Sequence, residues 1–168
     1  MNLTGVWIQG ITGKNVVITL LDDGVDYTHP DLKDNYSEEG SYDFNYYKKD
    51  PTPALWDDFH GTRCAGEVVA AKETTCGIGI AYEAKVSGIR ILSGQLSQAA
   101  EASAINHEYN VNHIYSCSWG PRDDGRTMEA PPRLAAEAFK KGIESGRNGL
   151  GSIFVFAAGN GGGSGDNW

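Results

Sequence analysis

Four short runs of apolar, often β-branched residues stand out along the chain, and longer stretches of mixed polarity separate them. The runs cover residues 15–21, 84–92, 111–116 and 151–157, and the first, NVVITLL, ends abruptly at Asp22. Runs of this length suit strands buried on both faces of a parallel sheet better than they suit helices. The pattern therefore predicts four strands in a mainly parallel sheet.

The stretches between these runs predict helices over residues 61–72, 97–109 and 132–144. Ser97 suits the N-cap of the second helix, Pro132 suits the first turn of the third, and Gly146 suits its end. Strands that alternate with helices indicate an α/β fold with a parallel sheet flanked by helices. Residues 35–58 have no clear period, and we expect a long surface excursion there. No linker divides the chain, which predicts one domain.

Composition narrows the class of protein. The 168 residues are 40% hydrophobic, which indicates a folded domain with a core. The net charge of −8 argues against a nucleic-acid surface and is compatible with a cationic ligand. Many soluble proteins are mildly acidic without such a ligand. No apolar run approaches the roughly 20 residues of a membrane span, and the first residues do not form a signal peptide.

The cysteines and two possible glycosylation triplets bear on the cellular compartment of the protein. Cys64, Cys76 and Cys117 show no metal-binding or redox spacing. Their odd number fits either a disulfide partner outside this chain or buried free thiols. The triplets that begin at Asn2 and Asn35 match the glycosylation rule, which gives weak support for the secretory route.

Three short segments at the ends of predicted strands suggest a site, at residues 22–24, 116–120 and 157–161. The carboxyl ends of parallel strands meet at one edge of a sheet, so we expect these segments to form one site. Asp22 ends a buried strand, and a buried carboxylate needs a partner such as an imidazole N–H. The alternative is a plain Asp-Asp-Gly turn.

Two further side chains suit this site. His60 precedes a helix of small residues, and a helix N-terminus favours a neutral ring that can accept a proton. Asn160 lies among glycines and can donate a hydrogen bond to a developing oxyanion. Each has a simpler alternative, a surface or capping histidine and an asparagine in a glycine-rich turn.

The order Asp, His, Asn resembles that of the subtilisin superfamily. The segments LLDDGVD, HGTRCAGE, IYSCSWGPRDDGR and AAGNGG are similar to those of its kexin and furin branch. The resemblance implies that Asp22 is the acid of the catalytic triad, His60 the general base and Asn160 the oxyanion donor. The family's nucleophile lies in a Gly-Thr-Ser motif that these residues lack. We therefore expect the N-terminal half of a subtilisin-like peptidase domain, incomplete and inactive alone.

The same resemblance implies cleavage of precursor proteins after paired basic residues. Asp23 and Asp57 would meet the penultimate basic side chain, and Asp123 the primary pocket. The other residues expected to line the substrate groove are Glu101, Ser118, Trp119, Gly120 and Glu129.

Calcium is the implied cofactor, with Asp31, Asp123 and Asp166 as ligands. The loop over residues 71–77 is shorter than the family pattern and lacks its Asn pair, which weakens the site at Asp31. Cys76 matches a residue disulfide-bonded to the second half of the domain, and Cys117 a buried thiol. An inhibitory propeptide and a secretory location, in the late Golgi membrane, are implied for the full-length protein.

Two other classes of function fit parts of the sequence. A non-catalytic peptide-binding protein would keep the groove and lack the nucleophile. A nucleotide-binding fold would explain the 22 glycines, but no G-x-G-x-x-G follows the first strand, where two aspartates would repel a pyrophosphate.

Overall fold

The computed structural model describes residues 2–72 and 77–165. These residues form four α-helices, five β-strands and two 3₁₀ turns. In chain order they are α1 (Thr4–Ile8), β1 (Val17–Asp22), a 3₁₀ turn (Lys33–Asn35), β2 (Tyr42–Asp43), α2 (His60–Val69), β3 (Lys85–Arg90), α3 (Gln98–Ile105), β4 (Ile114–Cys117), α4 (Arg133–Gly149), β5 (Ile153–Phe156) and a second 3₁₀ turn (Gly161–Ser164).

The five strands form one parallel sheet in the order β2-β3-β1-β4-β5. Strand β1 lies in the middle, with Leu21 beside Ile89 of β3 and Leu20 beside Ser116 of β4. Five of its six residues are buried, as expected for a strand covered on both faces. The predicted α/β architecture is confirmed.

Two hydrophobic clusters pack on opposite faces of this sheet. Leu21 packs with residues of α3 and α4, including Ile105 and Ala138. Leu20 packs on the other face with Ala65 and Val69 of α2. Successive side chains of a strand point to opposite faces, so one apolar run anchors both helix layers. Asp22 follows these two residues, so packing on both faces of the sheet fixes the position of its backbone.

The four predicted strands and three predicted helices are present, with shifted ends. Ser97 caps α3 as predicted, because its side chain accepts a hydrogen bond from Ala100 N at 3.1 Å. The helical backbone of α4 ends at Gly146, where ψ reaches 157°, and Arg147 and Asn148 are left-handed. The predicted stop at Gly146 is therefore confirmed.

Two elements were not predicted. Helix α1 has only five residues and buries none of them, so it shows no amphipathic period. Strand β2 has two residues and lies within the segment expected to be a surface excursion. It pairs with Ile89 and Arg90 of β3, so the prediction for residues 35–58 is wrong at this point.

The structure also bears on glycosylation and on membranes. Asn35 is buried, and its amide nitrogen donates to the carbonyls of Val69 at 2.8 Å and Tyr82 at 2.9 Å. These bonds use both amide hydrogens, so Asn35 has no free amide N–H for a glycan in the folded chain. Across residues 2–72 and 77–165, no helix is both long and apolar enough to span a bilayer.

Candidate active site

Asp22 and His60 meet at the carboxyl edge of the sheet. Asp22 is the last residue of β1, and its side chain is 1% exposed. His60 is the first residue of α2, and its Nδ1 lies 2.9 Å from both carboxylate oxygens of Asp22. The backbone N–H of Asp23 also donates to Asp22, at 2.8 Å. The predicted pairing of carboxylate and imidazole is present, although the two residues are 38 positions apart.

Asp23 fixes the start of the helix that carries His60. Its carboxylate accepts hydrogen bonds from the backbone N–H of His60 at 2.9 Å and of Gly61 at 2.7 Å. These N–H groups have no partner within the helix, and a carboxylate is favoured there by the helix dipole. Asp23 was predicted to bind substrate. The structure places it on the wall of the cleft with both oxygens already accepting a bond from α2.

The contact between Asp22 and His60 prepares the ring to accept a proton. Burial raises the pKa of the Asp22 carboxyl, while the hydrogen bonds from His60 and the Asp23 N–H oppose this rise. When Nδ1 donates to the carboxylate, Nε2 carries the free lone pair. The His60 side chain is 52% exposed, so the ring is open to solvent on the side away from buried Asp22. This is the arrangement that a general base requires.

Cys64 lies one helical turn after His60. Its Sγ is 3.7 Å from both ring nitrogens of His60, which places the sulfur over the ring face and away from the Nε2 lone pair. Burial raises the pKa of the Cys64 thiol, and the charge of Asp22 raises it further. A neutral thiol off the axis of the lone pair is a poor nucleophile, which argues against a Cys–His protease.

Three adjoining clefts follow the carboxyl edge. The histidine cleft, of about 420 Å³, is lined by Asp22, Asp23, Asp57, Asp58, His60, Leu92, Ser93 and Ser118, among others. The glycine-rich cleft, of about 570 Å³, is lined by residues that include Ser118, Asp123, Glu129, Asn160 and Gly161. The apolar cleft, of about 520 Å³, is lined by residues that include Glu101, Trp119, Gly120, Glu129, Phe154 and Phe156.

Shared residues join these clefts into one groove. Ser118 lines both the histidine cleft and the glycine-rich cleft. Trp119, Gly120 and Glu129 line both the glycine-rich cleft and the apolar cleft. Trp119 is also a structural anchor, because its indole N–H donates to the carbonyl of Leu21 at 2.9 Å. The predicted groove residues therefore lie along one continuous surface.

Asn160 and Asp123 are linked by a bond that the sequence did not predict. The backbone N–H of Asn160 donates to Asp123 Oδ2 at 2.9 Å. Gly159, with φ of 82°, brings the main chain so close that a Cβ there would overlap the Asp123 carboxylate. The Asn160 residue is exposed in the glycine-rich cleft. Its side chain is therefore accessible to a ligand in that cleft.

The remaining predicted acids differ in exposure. Asp57 is exposed, and in the described part of the chain no donor is hydrogen-bonded to its carboxylate. Glu129 is exposed and Glu101 half-buried, and both line the apolar cleft. Burial raises the pKa of the Glu101 carboxyl. Asp57 is thus the acid in the histidine cleft with the most freedom to meet a cation.

Neither Asp31 nor Asp123, each predicted to bind calcium, belongs to a group of three ligating side chains among the described residues. Asp31 lies 4.0 Å from His29 Nδ1, and Asp123 is bonded to Asn160. Over residues 2–72 and 77–165, the one group of three ligating side chains is Asp22, His60 and Cys64, a set that suits softer ions than calcium. Asp166 and Cys76 lie outside the described residues.

Sequence reasoning missed a buried ion cluster below the histidine cleft. Arg90 is fully buried and pairs with Asp43 at 3.1 Å and with Asp58 at 2.8 Å. The one sequence signal was the position of Arg90 between Ile89 and Ile91 in the apolar run 84–92. The predicted buried thiol is confirmed at Cys117, whose pKa is raised by burial to about 12.

Comparison with known proteins identifies the family. The model of the peptidase S8, or subtilase, family matches residues 13–167. The chain belongs to the subtilase family. Among solved structures, a serine protease of Aeromonas sobria aligns with a TM-score of 0.75 over 90% of this chain and 26% of that one, at 26% identity. Fervidolysin of Fervidobacterium pennivorans aligns with a TM-score of 0.74 over 95% of this chain and 23% of that one. At 23% identity, it supports the fold alone.

Curated relatives of this subtilase are of the kexin and furin type. The dibasic-processing endoprotease of Schizosaccharomyces pombe is 56% identical over 99% of this chain and 24% of that protein. Kexin of Saccharomyces cerevisiae is 52% identical over 99% of this chain and 21% of its own length. Rat (Rattus norvegicus) furin is 50% identical over 96% of this chain and 21% of its own length. The chain thus spans about a fifth of the length of these relatives.

Proposed function

We propose that this subtilase chain forms part of the catalytic domain of a serine endopeptidase. The observation that carries the proposal is the contact of His60 Nδ1 with buried Asp22 at 2.9 Å, which leaves Nε2 accessible from the groove. In the reaction, Nε2 takes the proton of the attacking hydroxyl and later gives it to the leaving amine. Asp22 stabilises the imidazolium formed in between, and Asn160 donates a hydrogen bond to the oxyanion.

The nucleophile is proposed to be a serine outside these 168 residues, which would make the chain the N-terminal half of the domain. In the described ranges, no seryl hydroxyl is hydrogen-bonded to the His60 ring. Ile153, Val155 and Phe156 of β5 are each about half exposed, at 47%, 51% and 45%. An edge strand with such apolar side chains suits further elements packed against it.

The proposed substrates are precursor proteins cut after paired basic residues. Support comes from Asp57, whose carboxylate has no hydrogen-bond donor in the described ranges and which lines the cleft beside His60. A carboxylate in a partly shielded groove favours a Lys or Arg side chain by a charge-assisted hydrogen bond. The S. pombe relative is described as a dibasic-processing endoprotease, which agrees with this specificity. Asp23 on the same cleft and Asp123 in the glycine-rich cleft are the further proposed carboxylates.

We further propose a cofactor, a cellular location and a glycosylation site for the full-length protein. Calcium would bind at Asp31 and Asp123, with oxygen ligands beyond the acidic side chains near them. The full-length protein would act in the secretory pathway, in the late Golgi membrane, and would carry an inhibitory propeptide. Asn2, which is exposed, is the candidate for glycosylation. The similarity to kexin and furin supports these statements.

The test compares Asp22→Asn with Asp34→Asn in the full-length protein that contains this chain. Asparagine at position 22 holds the ring in the wrong tautomer, and in trypsin the same change lowers kcat about 10⁴-fold. We expect a loss of about 10³- to 10⁴-fold on a fluorogenic Lys-Arg peptide, and none for Asp34→Asn, whose residue is exposed. Equal turnover by the two variants contradicts the proposal. Peptide binding without turnover by the wild type would favour a non-catalytic groove.

A further inference from the structure

The buried ion cluster below the histidine cleft is a fixed structural element. Arg90 ends β3 and is fully buried, and its Nη1 and Nη2 donate to Asp43 and Asp58. The ring of Tyr46 covers the guanidinium, with 4.9 Å between the central carbon and the ring centroid. A buried guanidinium is tolerated only when it is paired and its N–H groups are satisfied. Movement of either carboxylate would therefore be unfavourable.

The same guanidinium reaches the backbone of the segment that carries the catalytic aspartate. Arg90 Nε donates to the carbonyl oxygen of Asp23 at 3.1 Å and lies 3.3 Å from Asp58 Oδ2. One planar, rigid group thus joins the end of β1 to the segment that precedes His60. Both walls of the histidine cleft are attached to it.

Asp58 connects the Arg90 guanidinium to the opposite wall of the histidine cleft. Its Oδ2 accepts the backbone N–H groups of Ala54 at 3.0 Å and Leu55 at 2.9 Å. Its Oδ1 accepts the Ser93 hydroxyl at 2.7 Å, while the carbonyl of Asp23 lies 3.1 Å from the same hydroxyl. A hydroxyl has one proton, and the closer, charged acceptor takes it. Asp58 is thus saturated by donors, whereas the adjacent Asp57 stays exposed.

We propose that Arg90 and Ser93 are positioning residues for substrate specificity in the histidine cleft. They hold the main chain of residues 54–58, and with it the backbone of Asp57, at a fixed separation from Asp23. This inference rests on the proposed function. A carboxylate whose backbone is fixed before binding loses less entropy when it meets a cationic side chain, so it discriminates more strongly. Neither Arg90 nor Ser93 needs to contact the substrate.

The test measures discrimination between two peptides in the full-length protein. The ratio of kcat/KM for a Lys-Arg peptide to that for an Ala-Arg peptide reports on the penultimate side chain. Ser93→Ala removes one hydrogen bond to Asp58, and Arg90→Lys keeps the charge but loses the planar fork. We expect each to lower the ratio about three- to tenfold, the effect of weakening one or two hydrogen bonds, with the Ala-Arg value changed less than about twofold.

Controls separate this inference from the function on which it rests. Arg133→Lys changes an arginine whose side chain is 88% exposed, and we expect it to leave the ratio unchanged. Asp57→Asn should lower the ratio directly. If Asp57→Asn lowers the ratio and Ser93→Ala does not, the positioning role is refuted while the proposed specificity stands. If Ser93→Ala lowers kcat/KM equally for both peptides, the positioning role is also refuted. If Asp57→Asn has no effect, the proposed specificity itself fails. Ser93→Ala decides the matter even where Arg90→Lys does not fold.

Discussion

Gly61→Ala is the substitution that should most directly displace His60, the proposed general base. Gly61 is the second residue of α2 and is buried against the end of β1. An added Cβ would overlap the carbonyl oxygen of Gly24 and would lie 2.9 Å from the Cβ of Asp22 and 3.1 Å from a carboxylate oxygen of Asp23. The Gly24 oxygen is a main-chain atom and the Asp22 Cβ is bonded directly to the main chain, so neither can move aside easily. The helix start must therefore move away.

The size of the effect follows from these contacts. Carbon atoms pack at about 3.5–4.0 Å, so relief requires a shift of roughly 0.5 to 1 Å at the residue that follows His60. Overpacking of this kind costs about 1–3 kcal/mol of stability, and the better helix propensity of alanine returns at most about 1 kcal/mol. A misplacement near 1 Å in a catalytic group lowers the rate about 10²-fold. We expect kcat/KM to fall by about that factor while most of the protein stays folded.

Gly66→Ala is the matched control on the same helix. A Cβ at Gly66 meets nothing within 4 Å, so the change should stabilise α2 by about 0.5–1 kcal/mol and leave kcat/KM unaltered. Hydrolysis of a Lys-Arg peptide and thermal unfolding of the two full-length variants provide the readouts. If Gly61→Ala cleaves at the wild-type rate, then close contact between the helix start and β1 does not set the position of His60.

Two further predictions concern stability. Ser97→Ala removes the N-cap hydrogen bond from Ala100 N and should lower the free energy of unfolding by about 1 kcal/mol. Ser97→Asn should retain most of this stability, because asparagine is also a good N-cap residue. Equal melting temperatures of Ser97→Ala and the wild type would contradict the capping role. Burial lowers the pKa of His107 below its ordinary 6.5, so its contribution to stability is present above that value and is lost as pH falls toward the folded-state pKa. Unfolding followed from about pH 7.5 to 5 should therefore show a decline that His107→Gln reduces, and identical slopes for the two proteins would refute it.

The sequence was sufficient to predict that Asp22 and His60 lie together. Asp22 follows an apolar run and His60 opens a helix of small residues, and parallel topology brings strand ends and helix starts to one edge. The same logic could not show that Asp23 caps α2, because its partners are backbone groups 37 and 38 positions away. Strand β2 could not be predicted because two residues are too few to show an alternating pattern. It is recognised as a strand only by its pairing with β3.

The least predictable feature was which acid is available to a substrate. Four aspartates line the histidine cleft, and the sequence shows them only as two adjacent pairs. Asp22 accepts from the imidazole, Asp23 from the start of α2, and Asp58 from Arg90 and the backbone. Their states follow from the donors around them, which come from three distant segments. None of these donors is bonded to Asp57. Its carboxylate is available because the nearby donors are already bonded to the other three aspartates. An additional donor bonded to Asp57 would therefore compete with a cationic side chain for its carboxylate.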